Sequence, residues 1–147
     1  MKRPIYKIIS IQELKQVAND IFAQNDEIQL AYLYGSYARG IQKEFSDIDI
    51  GVLLKEDFKE PPLYFAELSL KIEKYFKHEI NVDLRIINNG TPRFLFGLIM
   101  NSKILFVRNK TIMHEFELNV IYMYQDIKPM LDKYDRISIL EALTNEN

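Results

Sequence analysis

The sequence predicts a mixed α/β (α+β) fold, a small mixed β-sheet flanked by helices. Three observations carry this. Short runs of apolar, β-branched and aromatic residues mark strands at Ile28–Tyr34, Ser46–Leu54, Ile80–Ile87 and Lys103–Val107. Segments with apolar residues three and four apart alternate with them. The connections set the strand directions. Gly35 to Phe45 is too short for a parallel crossover, which needs a dozen or more residues, so the first two strands are antiparallel. Lys55 to Glu79 has room for a helix, so the second and third strands are parallel, joined by a right-handed crossover.

Each element has a local cause. Ser10 and Glu13 have capping-box spacing, and Ile9 with Leu14 can form a hydrophobic staple. Leu14, Val17, Ala18, Ile21 and Phe22 then follow helical spacing, to about Asn25. The first strand stops at Gly35-Ser36, and a short turn or half-helix follows through Arg39-Gly40. In the second strand Ile48, Ile50, Val52 and Leu54 share one face, while Asp47, Asp49 and Gly51 share the other. Pro61-Pro62 opens a helix with Phe65, Leu68, Ile72 and Phe76 on one stripe. Asn88-Asn89-Gly90 ends the third strand, and Thr91-Pro92 supplies the cap and first residue of a helix through Met100. Asn109 caps a long final helix. Pro129 is expected to kink or end it near Asp126 to Lys128.

The 147 residues suffice for one domain, 1–147, whose C-terminal helical segment begins at about 109. Composition excludes several classes. Absence of Cys removes disulfides, thiolate nucleophiles and Cys-based zinc sites. Nineteen Lys plus Arg against twenty-one Asp plus Glu argues against a general nucleic-acid binder. No apolar run approaches the ~20 residues of a membrane span. The basic N-terminus lacks the apolar core and cleavage site of a signal peptide, so a cytoplasmic location is expected.

The chemistry is concentrated in Leu33 to Gly40 and Ser46 to Ile50. Gly35 and Ser36 lie where a strand breaks into a turn, and free N–H groups there with the Ser36 hydroxyl can cradle phosphate. Arg39, about one helical turn on, adds a planar charged fork. Asp47 and Asp49, alternate strand residues, stand roughly 6.6 Å apart on one face. The competing reading makes them the solvated face of an amphipathic strand. Asp83 shifts that balance, since on a neighbouring parallel strand it can stand beside them. Three crowded carboxylates repel unless cations neutralise them, and hard oxygen ligands with substrate phosphates suit Mg²⁺. Tyr34 and Tyr37 flank the turn and can pack on a nucleotide or on the strand end. His78 and His114 are expected at the surface rather than as ligands.

Gly35-Ser36, ten residues and Asp47-Ile48-Asp49, with Asp83 later, resembles the nucleotidyltransferase superfamily that includes DNA polymerase β. The fuller strings GSYARG and SDIDIGVLL, with VDLRII, KILFVRN and the helix around HEFE, resemble the minimal nucleotidyltransferase (MNT) proteins. The resemblance implies a polymerase β-like fold and an active enzyme. It places Gly35 and Ser36 on the nucleotide, where position and charge alone also put Arg39. It places Asp47, Asp49 and Asp83 on catalysis and two Mg²⁺ ions, with ATP as substrate. MNT proteins accompany HEPN-domain toxins, which implies an antitoxin that transfers AMP to a tyrosine of its toxin partner. Two alternatives stand beside it: transfer to a small hydroxylated molecule such as an aminoglycoside, and an antitoxin that only binds.

The final helix carries Met113, Phe116, Val120, Met123, Ile127, Met130, Tyr134 and Ile137 at heptad-like spacing. Its first half is expected to cover the sheet. The rest either folds back or docks a partner, as a homo- or hetero-oligomer. A chain this short has little room for a substrate-binding region, so an acceptor arriving as a folded protein fits its length.

Overall fold

The computed structural model describes residues 8–42 and 47–145. The elements are α1 (Ile11–Ala23), β1 (Ile28–Tyr34), α2 (Gly35–Arg39), β2 (Ile48–Leu54), α3 (Tyr64–Tyr75), β3 (Val82–Ile86), α4 (Pro92–Asn101), β4 (Lys103–Val107) and α5 (Lys110–Asn145). The sheet order is β3-β2-β1-β4. β1 runs antiparallel to β2 and β4, and β2 runs parallel to β3, as the connection lengths require. Ser46, the expected start of the second strand, lies outside the described residues, and β2 begins at Ile48, so Asp47 precedes the strand rather than standing in it.

Alternation along the strands divides the interior into two layers. On one face Ile48, Ile50 and Val52 of β2 pack with Leu14, Ala18 and Phe22 of α1 and with Tyr64, Leu68 and Ile72 of α3. On the other, Leu30 and Tyr32 of β1 pack with Leu95 and Leu98 of α4 and Val120 of α5. β1 is therefore buried on both faces. Full burial of a Leu, Ile or Phe contributes about 1.5–3 kcal/mol, so the two layers supply most of the driving force.

The capping predictions hold atom by atom. Ser10 Oγ accepts from Glu13 N at 3.1 Å, and Thr91 Oγ1 from Phe94 N at 3.3 Å. Asn109 Oδ1 accepts from Thr111 N at 2.8 Å. Ile9 and Leu14 are both buried in one cluster, as a staple demands.

Three expectations change. Helix α3 begins two residues after Pro62, because Leu63 takes a left-handed conformation (φ 62) and becomes its N-cap. The buried stripe is therefore Tyr64, Leu68 and Ile72, and Phe65 turns outward. The third strand is shorter, Val82–Ile86. Pro129 does not end α5, which continues to Asn145. Both Pro129 and Gln125 are exposed, so the carbonyl that loses its partner meets water instead. The apolar seam of α5 splits as expected in its first half: Met113, Phe116 and Val120 join the core. Beyond that, Met130, Tyr134, Ile137 and Leu140 are exposed.

One side chain ties the first half of the chain together. Arg108 donates from Nε to Ile28 O at 2.8 Å and from one terminal nitrogen to Phe22 O and Asn25 O at 2.9 and 3.0 Å. It thereby joins the end of α1, the turn after it and β1 to the residue following β4. Replacement by Gln leaves carbonyls without their charged donor. Arg108→Gln is expected to cost about 2–4 kcal/mol in chemical denaturation. A loss below about 0.5 kcal/mol would show that the three contacts carry no net stability.

Candidate active site

The site lies where β1 ends and β2 and β3 begin. Antiparallel pairing brings Tyr34, the last residue of β1, opposite Asp49. Parallel pairing puts Asp49 opposite Asp83. Alternation then places Tyr34, Asp49 and Asp83 on one face of the sheet, the face that α4 and α5 cover further along. The start of β3 is held from two sides. Glu73 of α3 accepts from Val82 N at 2.9 Å, and Asn81 O accepts from Ile48 N at 2.9 Å.

Gly35 is fixed by two constraints. Its φ of 71 is left-handed, and a Cβ there would lie 2.2 Å from Asp49 Oδ2. The glycine that the sequence suggested for close approach to an anion thus already approaches one within the protein, the Asp49 carboxylate. Ser36 follows in the first turn of α2, and Arg39 ends that helix, exposed to solvent. Gly40 closes it in a left-handed cap.

The electrostatics follow from this crowding. Burial first, then the charges of Asp83 and Asp47, push the Asp49 carboxyl above its ordinary value, and Arg85 pulls it partly back. Arg85 lies 3.6 Å from Asp83 Oδ2. Burial also raises the Tyr34 hydroxyl; Arg85 opposes that rise, and Asp49 and Asp83 add to it. Among the described residues nothing hydrogen-bonds this buried hydroxyl. Its ring meets Phe94 of α4 edge-on at 5.8 Å.

The structure thus joins Asp49, Asp83 and Gly35 in direct contact or register. Asp47 is near enough to act on Asp49 electrostatically, and its Oδ1 accepts from Asn81 Nδ2 at 2.8 Å. Among the described residues no three acidic or histidine side chains converge on a single ion position. The donor set is nonetheless all carboxylate, the hard ligation that suits Mg²⁺, and Asp49 carries more neighbouring negative charge than Arg85 offsets. Tyr37 is buried in the core, so strand-end packing is its role. His78 and His114 are exposed. Arg85 and Asn81 went unread in the sequence. Arg85 was accessible to it, being two residues beyond Asp83 on the same strand face.

This arrangement, a Gly-Ser turn against carboxylates on adjacent parallel strands, is that of a nucleotidyltransferase. The chain belongs to the polymerase beta nucleotidyltransferase family, whose model matches residues 16–111. A curated relative, a candidate protein adenylyltransferase of Methanocaldococcus jannaschii, is 31% identical over 91 residues, which is 62% of this chain and 99% of that one. Among solved structures, a chain described as a toxin-antitoxin with AMP-PNP matches with a TM-score of 0.67 and 24% identity, over 88% of this chain and 98% of that one. A chain of a complex described as tri-AMPylated Shewanella oneidensis HEPN toxin with MNT antitoxin matches with a TM-score of 0.63 and 22% identity, over 90% and 98%. These likenesses establish the fold. Among the described residues no helix is long and apolar enough to cross a membrane.

Two outcomes are expected. Gly35→Ala combines left-handed strain with overlap on Asp49, and should destabilise by about 2 kcal/mol in urea unfolding. The raised Asp49 carboxyl has a signed consequence. Between its unfolded value near ~4 and its raised folded value, the native state binds more protons than the unfolded one. Stability in chelator therefore falls as pH rises through that window and is level above it. Asp49→Asn removes the loss, so its Tm in chelator at pH 7 should exceed that of the wild type. An unchanged or lower Tm would contradict the assigned strain.

Proposed function

We propose that this protein transfers AMP from ATP to a hydroxyl of a protein partner, a tyrosine of a cognate HEPN toxin, and thereby acts as its antitoxin. The observation that carries the reading is the Asp49–Asp83 pair, in register beside the Gly35-Ser36 turn. The relative named for protein adenylyl transfer and the AMPylated toxin complex support the choice of nucleotide and acceptor.

Gly35 and Ser36 hold the triphosphate through backbone N–H groups and the Ser36 hydroxyl, and Arg39 reaches its outer oxygens. Asp47, Asp49 and Asp83 would hold Mg²⁺, which when bound neutralises phosphate charge and acidifies the attacking hydroxyl. Asp83 orients the acceptor hydroxyl and takes its proton on a carboxylate oxygen. The acceptor oxygen forms a bond to the α-phosphorus, the bond from that phosphorus to the β-phosphate bridging oxygen breaks, and pyrophosphate leaves with the electron pair.

The exposed second half of α5 favours a protein acceptor over a small molecule. Met130, Tyr134, Ile137, Leu140 and Leu143 leave there an apolar surface larger than an isolated chain needs. Co-expression with the partner, followed by mass spectrometry, should show additions of about 329 Da per AMP. Asp47→Asn and Asp49→Asn should each abolish labelled AMP transfer, a loss of at least about a thousandfold. Full transfer in both variants would remove the site assignment. A stable complex that is never modified with ATP and Mg²⁺ present would leave an antitoxin that works by contact alone.

A further inference from the structure

We infer that the acceptor tyrosine arrives on an extended peptide segment laid along the free edge of β3. This rests on the proposed AMP transfer and names where its second substrate binds.

Among the described residues β3 pairs only with β2, and its other side is an open sheet edge. A cavity of about 720 Å³ touches four consecutive β3 residues, Asp83 to Ile86. Consecutive strand residues point to opposite faces. A space that meets all four therefore runs along the edge itself, where unpaired N–H and C=O groups can take another strand. The opposite wall is apolar except for one carboxylate at its end. Glu60, Pro61, Pro62, Leu63 and Phe65 form it, and Leu63 and Phe65 are 65% and 45% exposed. Leu63 holds a left-handed φ of 62, which costs a non-glycine residue on the order of 1 kcal/mol. That conformation starts α3 late and turns Phe65 outward beside the edge.

The occupant follows from what lies at the end of the groove. Asp83 belongs both to this wall and to the carboxylate pair. In the strand order, the Gly35 turn follows β1, on the far side of β2 from the groove. A triphosphate on the turn and an acceptor in the groove thus approach the carboxylates from opposite sides, as in-line displacement demands. From Asp83 to Ile86 the edge is about 10 Å long, enough for three residues of extended chain. The chemistry recognised is an extended segment with tyrosine at the Asp83 end and a bulky apolar side chain two to four residues away, over Leu63 and Phe65. Arg85, between them on the strand, takes a backbone carbonyl or acidic group of the segment.

The test uses the full chain co-purified with its HEPN-domain partner, with p-benzoylphenylalanine at position 65. After irradiation, cross-links are expected within about five residues of the modified tyrosine. In parallel, the double variant Leu63→Asp, Phe65→Ser should raise KM for the partner by about tenfold or more, as loss of 1–2 kcal/mol of apolar contact predicts. Its affinity for AMP-PNP should match the wild type and its Tm should not fall, since both side chains are exposed and aspartate suits the left-handed N-cap that Leu63 occupies. Cross-links in a segment remote from the labelled tyrosine, or an unchanged KM, would overturn the groove while transfer itself stood. A wild-type pair that shows no AMP label removes the transfer reading, and the mass spectrum reports that before any cross-link is read.

Discussion

Parallel pairing of β2 with β3 sets two aspartates side by side, and the molecule is arranged around their repulsion. Asp49 has no freedom to withdraw: Gly35 lies against its carboxylate, Asp83 stands beside it, and the sheet closes one face. Such a pair opposes folding by itself. It is tolerated because its surroundings are held in place by hydrogen bonds and packing. Glu73 and Asn81 fix the start of β3, and Phe94 of α4 buttresses Tyr34. The two helical layers supply the apolar burial that offsets the local cost. Native stability and readiness to accept cationic charge are then two descriptions of one arrangement.

Most of the frame was readable from residues alone, for identifiable reasons. β1 has clear signals at both ends, so its limits came out as Ile28–Tyr34. Ser10, Thr91 and Asn109 are caps whose partners lie within three residues, and such local chemistry survives folding. The strand directions followed from connection length. Legibility failed where a third dimension decided. The Pro61-Pro62 pair suggested a helix start, but Leu63 took the cap, which moved the buried stripe from Phe65 to Tyr64. Tyr64 then donates to Glu27, a partner remote in sequence. Pro129 read as a kink or a terminator, and α5 continues through it on a side of the helix that is exposed to solvent.

The candidate site divided in the same way. Positions of Asp49 and Asp83 followed from alternation and one assumed register, which the β2–β3 pairing bears out, whereas Asp47 precedes β2. Their rotamers did not follow. The hydrogen bond from Asn81 to Asp47 joins two residues 34 apart in the chain, and no local rule anticipates it. Gly35 was assigned the right property and an incomplete reason, since its missing Cβ makes room for a side chain on the next strand.

Helix α5 has one more consequence. Its 36 residues extend about 54 Å, longer than the roughly 40 Å breadth expected for a body of this size. The core uses its first turns, near Phe116 and Val120, and Phe96 stacks on Tyr124 at 4.0 Å. Past that point Arg93 reaches Asp135, and the apolar side chains continue into solvent. The carboxylates stand on the sheet, and the exposed apolar side chains run along the distal half of the helix, so the two are separate parts of the molecule. Under the proposed function, a partner gripped along that helix would keep its reactive segment at an effective concentration in the millimolar range, whether or not that segment is in the site at a given moment. Several turnovers on a single bound partner would then be a matter of geometry, with the helix serving as a leash for the substrate rather than as a lid over the reaction.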